Sequence, residues 1–115
     1  MQNVSNNPLT QKRCQPCEGG VPACPLDAVH QHLAGLPGWE LTHEGKRIRK
    51  HWQFKNFVRA MEFLNRVAEI AETEGHHPDL HLESYRQVYI EIWTHAIGGL
   101  SENDFILAAK IETVV

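Results

Sequence analysis

From Phe57 to Glu74 the chain runs eighteen residues in which apolar side chains return every three or four positions: Phe57, Val58, Met61, Leu64, Val67, Ala68 and Ala71. That spacing predicts one amphipathic helix. Asn56 can cap its start, and Gly75 supplies the stop. At 1.5 Å per residue such a helix is about 27 Å long, so a chain of this size has to be wrapped around it. Phe63 and Ile70 widen the apolar stripe. A stripe that broad is covered by more than one layer, either within the domain or by a subunit partner.

The flanking segments supply the wrapping. Upstream, Trp39-Glu-Leu41-Thr-His43 and Arg47 to Phe54 alternate large and polar residues on either side of Glu44-Gly45-Lys46, the pattern of a β-hairpin. Before it, Leu26, Val29, Leu33 and Leu36 predict a short amphipathic helix over Leu26 to Leu36, ended by Pro37-Gly38. Downstream, Asp79–Ser84 and Val88–Thr94 read as strands joined through Tyr85-Arg86-Gln87. In the second, Val88, Ile90 and Ile92 face one way, and Tyr89, Glu91 and Trp93 the other. Gly98-Gly99 breaks the strand. Ser101 then opens a last helix, with Asp104 in a capping-box position and Phe105, Ile106, Ala108, Ala109 and Ile111 on its buried side. This order predicts the α+β class, an antiparallel sheet covered on one face by helices.

Residues 1–25 hold four of the six prolines and little periodicity, so they are expected to form an extended N-terminal arm ahead of a domain at 26–115. Cys14, Cys17 and Cys24 all lie in this arm. Cys14 and Cys17 have zinc-knuckle spacing, but no second pair exists; His30 or His32 would have to complete a site, and a plain arm with no site is the simpler expectation. The N-terminus lacks an apolar signal core, and no run of 18 apolar residues occurs, so a soluble, cytoplasmic protein is expected, with no membrane contact. Six of the eleven basic residues (Lys46, Arg47, Arg49, Lys50, Lys55 and Arg59) cluster near Trp52, Phe54 and Phe57. On a chain of net charge −3 these read as a solvated face, and direct nucleic-acid binding is not expected. A chain of 115 residues buries a small core, which favours packing against copies of itself.

Eight of the residues are histidine. Glu72-Thr-Glu74-Gly75-His76-His77-Pro78 presents two of them where the long helix ends, and Pro78 keeps His77 out of helical backbone. His95 follows the last strand. His30, His32, His43, His51 and His81 fall outside this constellation and are expected at the surface. Three histidines with a carboxylate fit two chemistries. In one they bind a metal, with Glu72 or Asp104 assisting, although the spacings that align paired histidines on one helix or strand are absent. In the other they exchange protons with a substrate near neutral pH, as the addition or elimination of water requires. No G-x-S-x-G nucleophile and no phosphate-cradling loop is present.

The series Glu72-x3-His76-His77-Pro78, Tyr85 after six residues, His95 after nine more and Asp104 after eight more resembles the signature of pterin-4a-carbinolamine dehydratases. The likeness extends through Gly38-Trp39, Phe54-Lys-Asn-Phe57, Thr94-His95 and Gly99-Leu100-Ser101-Glu102, about residues 26–115. Cys14, Cys17 and Glu18-Gly19-Gly20 resemble extensions on some bacterial and plant members. The resemblance implies a four-stranded antiparallel sheet with helices on one side, assembling as homodimers or homotetramers through sheet edges and helices. It implies loss of water from 4a-hydroxytetrahydrobiopterin or a related pterin, serving aromatic amino-acid hydroxylases, with no metal or organic cofactor. His76 and His95 would be the acid–base pair, and His77 with Pro78 would hold substrate. Glu72 would orient His76, and Trp39 would offer a wall to the flat pterin. Asp104 would either cap the last helix or reach the site. Ile97 stands where some animal members place a cysteine near the site; no step of the chemistry needs that thiol. Two other readings fit the same resemblance. One is a protein-binding, dimerisation module that acts as a regulatory partner of a transcription factor and presents the stripe around Met61 and Leu64, and the other is a dehydratase-like protein of molybdopterin metabolism.

Overall fold

The computed structural model describes residues 7–16 and 20–115. Its elements are α1 (Leu26–Ala34), β1 (Glu40–Thr42), β2 (Arg47–Gln53), α2 (Phe57–Glu74), β3 (Asp79–Glu83), β4 (Gln87–Ile92) and α3 (Glu102–Glu112), with 3-10 turns at Pro8–Gln11 and His95–Ile97. The four strands form one antiparallel sheet in the order β1-β2-β4-β3. The architecture is the α+β arrangement expected from the sequence.

Local chemistry explains the boundaries of α2. The Asn56 side chain accepts the Arg59 N–H at 2.9 Å. At the other end Gly75 takes φ +65°, a left-handed conformation that costs glycine little. Nothing lies within 4 Å of where a Cβ would sit there, so the backbone angle and not space selects glycine.

The core lies between the sheet and α2 and α3. Ile48, Val88, Ile90 and Ile92 on the inner face of the sheet, and Phe105, Leu107 and Ile111 on α3, are fully buried. Each such side chain contributes about 1.5–3 kcal/mol by leaving water. On α2 the buried line is Ala60, Phe63, Val67 and Ala71. This corrects the expected stripe. Phe57, Val58 and Met61 stand exposed on the first turns, because that end of α2 is apolar nearly all round and the sheet covers only the Phe63 side. Trp52 and Phe54 pack their rings on Phe63, each with centroids 5.0 Å away.

Three further expectations change. Leu26 is exposed at the start of α1, which is anchored through Val29 instead, and the helix ends at Ala34, two residues early. His32 turns inward and stacks on Phe105 at 4.8 Å. For the arm the structure adds a location. Over residues 7–16 it is a docked segment: Leu9 is in the core, and Asn7 caps the first turn while its amide reaches the Gly35 carbonyl at 3.2 Å. The sequence signal was α3 itself, whose residues from Asn103 to Ala109 are all buried. A helix buried all round needs a second cover, and the arm provides it.

The basic cluster is divided by strand alternation. Lys50 bonds Glu112 at 2.9 Å, Arg47 bonds Glu91 at 2.7 Å, and Arg59 lies 3.5 Å from Glu62. Among the described residues no helix is long and apolar enough to cross a membrane.

Candidate active site

The left-handed turn at Gly75 reverses the chain, and the His76 N–H folds back onto the Ala71 carbonyl at 3.2 Å. This drives the His76 side chain inward, where it is 6% exposed and its Nε2 meets Asp104 Oδ1 at 2.6 Å. Asp104 is fully buried in the first turn of α3. Its Oδ2 accepts the Ser101 N–H at 2.9 Å, closing the capping box, and the Thr94 hydroxyl at 2.8 Å. The Ser101 hydroxyl lies 2.7 Å from that of Thr94. Since Thr94 gives its single proton to Asp104, Ser101 donates to Thr94. An ionised Asp104 only accepts, so His76 donates through Nε2–H, and the contact fixes both the tautomer and the ring plane. The two readings of Asp104 therefore merge. One carboxylate caps the helix and holds the imidazole, without itself lining the cleft.

The neighbouring histidine is placed the other way. Pro78 keeps its predecessor extended, and His77 projects outward, 62% exposed. Its Nε2 contacts Glu72 Oε2 at 2.5 Å. Glu72 thus partners His77, not His76 as expected. The reason is the reversal at Gly75, which turns His76 toward α3 and leaves His77 over the last turn of α2.

His95 begins the 3-10 turn after β4 and is exposed. Its ring stacks on Trp93 with centroids 3.9 Å apart. Trp93 is itself fixed, since its Nε1–H donates to Asp79 Oδ2 at 3.3 Å and the Arg47 guanidinium lies 4.2 Å over its ring. An open cleft of about 420 Å³, within the usual range for small-molecule sites, is lined by His76, His77, Pro78, Asp79, His95 and Ala96, with Gly75 beside them.

The cleft therefore gathers His76, His77, Pro78 and His95, with Glu72 at its edge through His77 and Asp104 behind His76. Trp39 is elsewhere. It is 5% exposed, edge-on to Trp52 at 5.7 Å and bonded through Nε1–H to Glu112 at 3.1 Å. As a core residue it offers this chain's cleft no wall. Asp79, Trp93 and Thr94 were not singled out. A tryptophan just after β4, two positions before a histidine, was the available signal for the His95 stack.

Among the described residues no three His, Cys, Asp or Glu side chains come together as a metal site requires. Cys17 lies outside the described residues. Cys14 and Cys24 are free thiols. Burial first, and then the charge of Glu74, push the Cys14 thiol up to about 12, so it stays protonated at neutral pH and is a poor metal ligand as it stands. Burial and Glu102 also raise Cys24. What the cleft offers is imidazole: one ring held from behind by a carboxylate, one stacked on an indole, and a third at the rim.

Comparison with known proteins places the chain in a family. The sequence profile of the family described as "Pterin 4 alpha carbinolamine dehydratase" matches residues 23–114. The Arabidopsis thaliana protein "Pterin-4-alpha-carbinolamine dehydratase 2, mitochondrial" is 49% identical over 106 residues, covering 90% of this chain but only 57% of its own length. A Rickettsia canadensis relative, provisionally named for the same activity, is 48% identical over 108 residues, covering 93% of this chain and 97% of its own. The crystal structure of a "transcriptional coactivator/pterin dehydratase" from Brucella melitensis superposes with a TM-score of 0.76 at 27% identity, covering 81% of this chain and 98% of that one.

Proposed function

The chain belongs to the pterin-4a-carbinolamine dehydratase family, and from that premise we propose that its cleft dehydrates a 4a-hydroxytetrahydropterin to the quinonoid dihydropterin. The C4a–O bond breaks, the hydroxyl leaves as water after gaining a proton, N5 gives up its proton, and a C4a=N5 double bond forms. Each step needs only proton transfer. The observation that carries the reading is that His76 and His95, from different elements, line one cleft while Asp104 holds His76. A positioned acid–base group typically contributes about 10²–10⁴-fold. Asp104 would stabilise an imidazolium formed at His76 during the transfer, and His77, with Pro78 setting its direction, would bind the substrate's polar edge. The product would feed the cofactor cycle of aromatic amino-acid hydroxylases.

The test is turnover of synthetic 4a-hydroxytetrahydropterin followed by stopped-flow absorbance. His76→Ala and His95→Ala are each expected to lower the rate by at least about tenfold while the circular dichroism spectrum is kept. Unchanged rates in both variants would overturn the reading. A pyranopterin of the molybdopterin type, assayed in parallel, tests the nearest change of substrate.

A second reading concerns association. Phe57, Val58 and Met61 form an exposed apolar patch on α2, the kind of surface that subunits bury. We assign it to self-association as a dimer or tetramer. Sedimentation of the wild type against Val58→Glu/Met61→Glu checks this, with a monomeric wild type the contrary result. The name of the Brucella relative adds a protein partner as the alternative occupant.

A further inference from the structure

Residues 12–16 do more than cover α3. The Cys14 N–H donates to Glu74 Oε1 at 2.9 Å, and Lys110 Nζ donates to Glu74 Oε2 at 2.6 Å. One residue on, the Gln15 N–H donates to Asn103 Oδ1 and the Asn103 Nδ2 donates to the Gln15 carbonyl, both at 2.8 Å. The Asn103 side chain thus takes the place of a strand mate for Gln15, with one donor and one acceptor matched to a peptide group. Lys12 adds an ion pair with Glu102 at 3.1 Å. Farther back, Leu9 anchors the segment in the core.

The two places gripped are telling. Glu74 is the last residue of α2, separated from His76 only by Gly75; Asn103 immediately precedes Asp104. Two consecutive arm residues therefore link the two backbone stations whose separation sets the 2.6 Å contact between His76 and Asp104. Helix ends fray, and here one end of each helix carries half of the pair. The anchors are buried, with Asn103 1% exposed and the Glu74 side chain 5% exposed, so the grip is not diluted by water.

We propose that the N-terminal segment is a clasp that positions His76, with Asn103 and Glu74 as its anchoring residues, so that the arm is part of the catalytic geometry and not an appendage. The kinetic side of this inference rests on the dehydratase reading; the geometric side does not. Misplacing a reacting group by about 1 Å can cost up to about 10²-fold in rate, so a partial loosening is expected to cost about five- to tenfold.

The experiment compares full-length wild type, Asn103→Ala, His76→Ala and the double variant. In Asn103→Ala, kcat for 4a-hydroxytetrahydropterin is expected to fall about five- to tenfold with KM within about twofold. On the His76→Ala background the same change is expected to have no further effect on kcat, because a residue acting through His76 has nothing left to act on. By proton NMR, the imidazole Nε2–H resonance of His76 is expected to lose its hydrogen-bonded downfield position in Asn103→Ala. A segment that merely adds stability would lower Tm yet leave kcat and that resonance in the folded protein unchanged, and this result would overturn the clasp, as would full additivity in the double variant. If Asn103→Ala does not fold, Asn103→Asp, which keeps the acceptor for Gln15 and loses the donor, is read by the same criteria. A wild type without turnover refutes the dehydratase reading alone, and the His76 resonance then decides the clasp.

Discussion

His76 and His77 are adjacent in sequence, each within 2.6 Å of a carboxylate, and yet they are physically unlike. The His76–Asp104 pair is 6% and 0% exposed, and the carboxylate has two further donors. The His77–Glu72 pair is 62% and 77% exposed, with water on every side. Short distance alone therefore says little about what a contact is worth. In the first pair burial keeps water from replacing either group if the other is removed, whereas in the second water takes over at once.

The sharpest way to break this comparison is to remove each carboxylate in turn. Asp104→Ala should lower unfolding stability by about 3–5 kcal/mol, read by urea denaturation, because it takes a buried charged partner from His76 and leaves the Thr94 hydroxyl proton and the Ser101 N–H without their acceptor. Glu72→Gln should change stability by about 0.5 kcal/mol or less. Equal losses would show that burial does not separate the two pairs. A smaller step is Thr94→Val, which keeps the shape but removes one donor to Asp104 and the acceptor for Ser101. It should cost about 1–2 kcal/mol and reduce turnover less than Asp104→Ala does.

The smallest effect is expected from pH. Burial alone would raise the Glu74 carboxyl, but the hydrogen bond from Lys110, the Cys14 amide and the Lys110 charge together hold it below its usual range. A carboxylate depressed in the folded state contributes stability above its unfolded pKa, and that contribution is lost as pH falls through the folded value. Burial lowers the His32 imidazole, with the nearby Glu102 opposing, so its contribution is also complete above the ordinary histidine value and declines on acidification. Thermal melts from neutral to acid pH should therefore fall in two windows. Glu74→Gln should flatten the more acidic one and leave the other in place, and no change in either limb would contradict the assignment.

How much of this was legible depended on how local each cause is. The limits of α2 could be read because Asn56 and Gly75 act on their own neighbours, and the capping box at Ser101 and Asp104 was visible for the same reason. The inner face of β4 followed from strand alternation. What sequence withheld were choices made by a distant surface. Phe57 and Phe63 are equally apolar, and only the sheet selects Phe63 for burial. Glu72 lies one helical turn from His76, which made it the natural partner on helical geometry, until the reversal at Gly75 handed that place to a residue 28 positions away. Where the arm lies could not be read, because prolines argue against regular structure and say nothing about docking.

Asp104 closes the capping box of α3 with the same carboxylate that holds His76. Loss of that group would loosen the fold as well as the site, and a destabilisation of a few kcal/mol is enough to change steady-state abundance in a cell. A variant at this position would therefore be noticed first as missing protein, cleared by proteolysis, and only afterwards as a slow enzyme. The chain has no easy route to a well-folded copy that has lost this support.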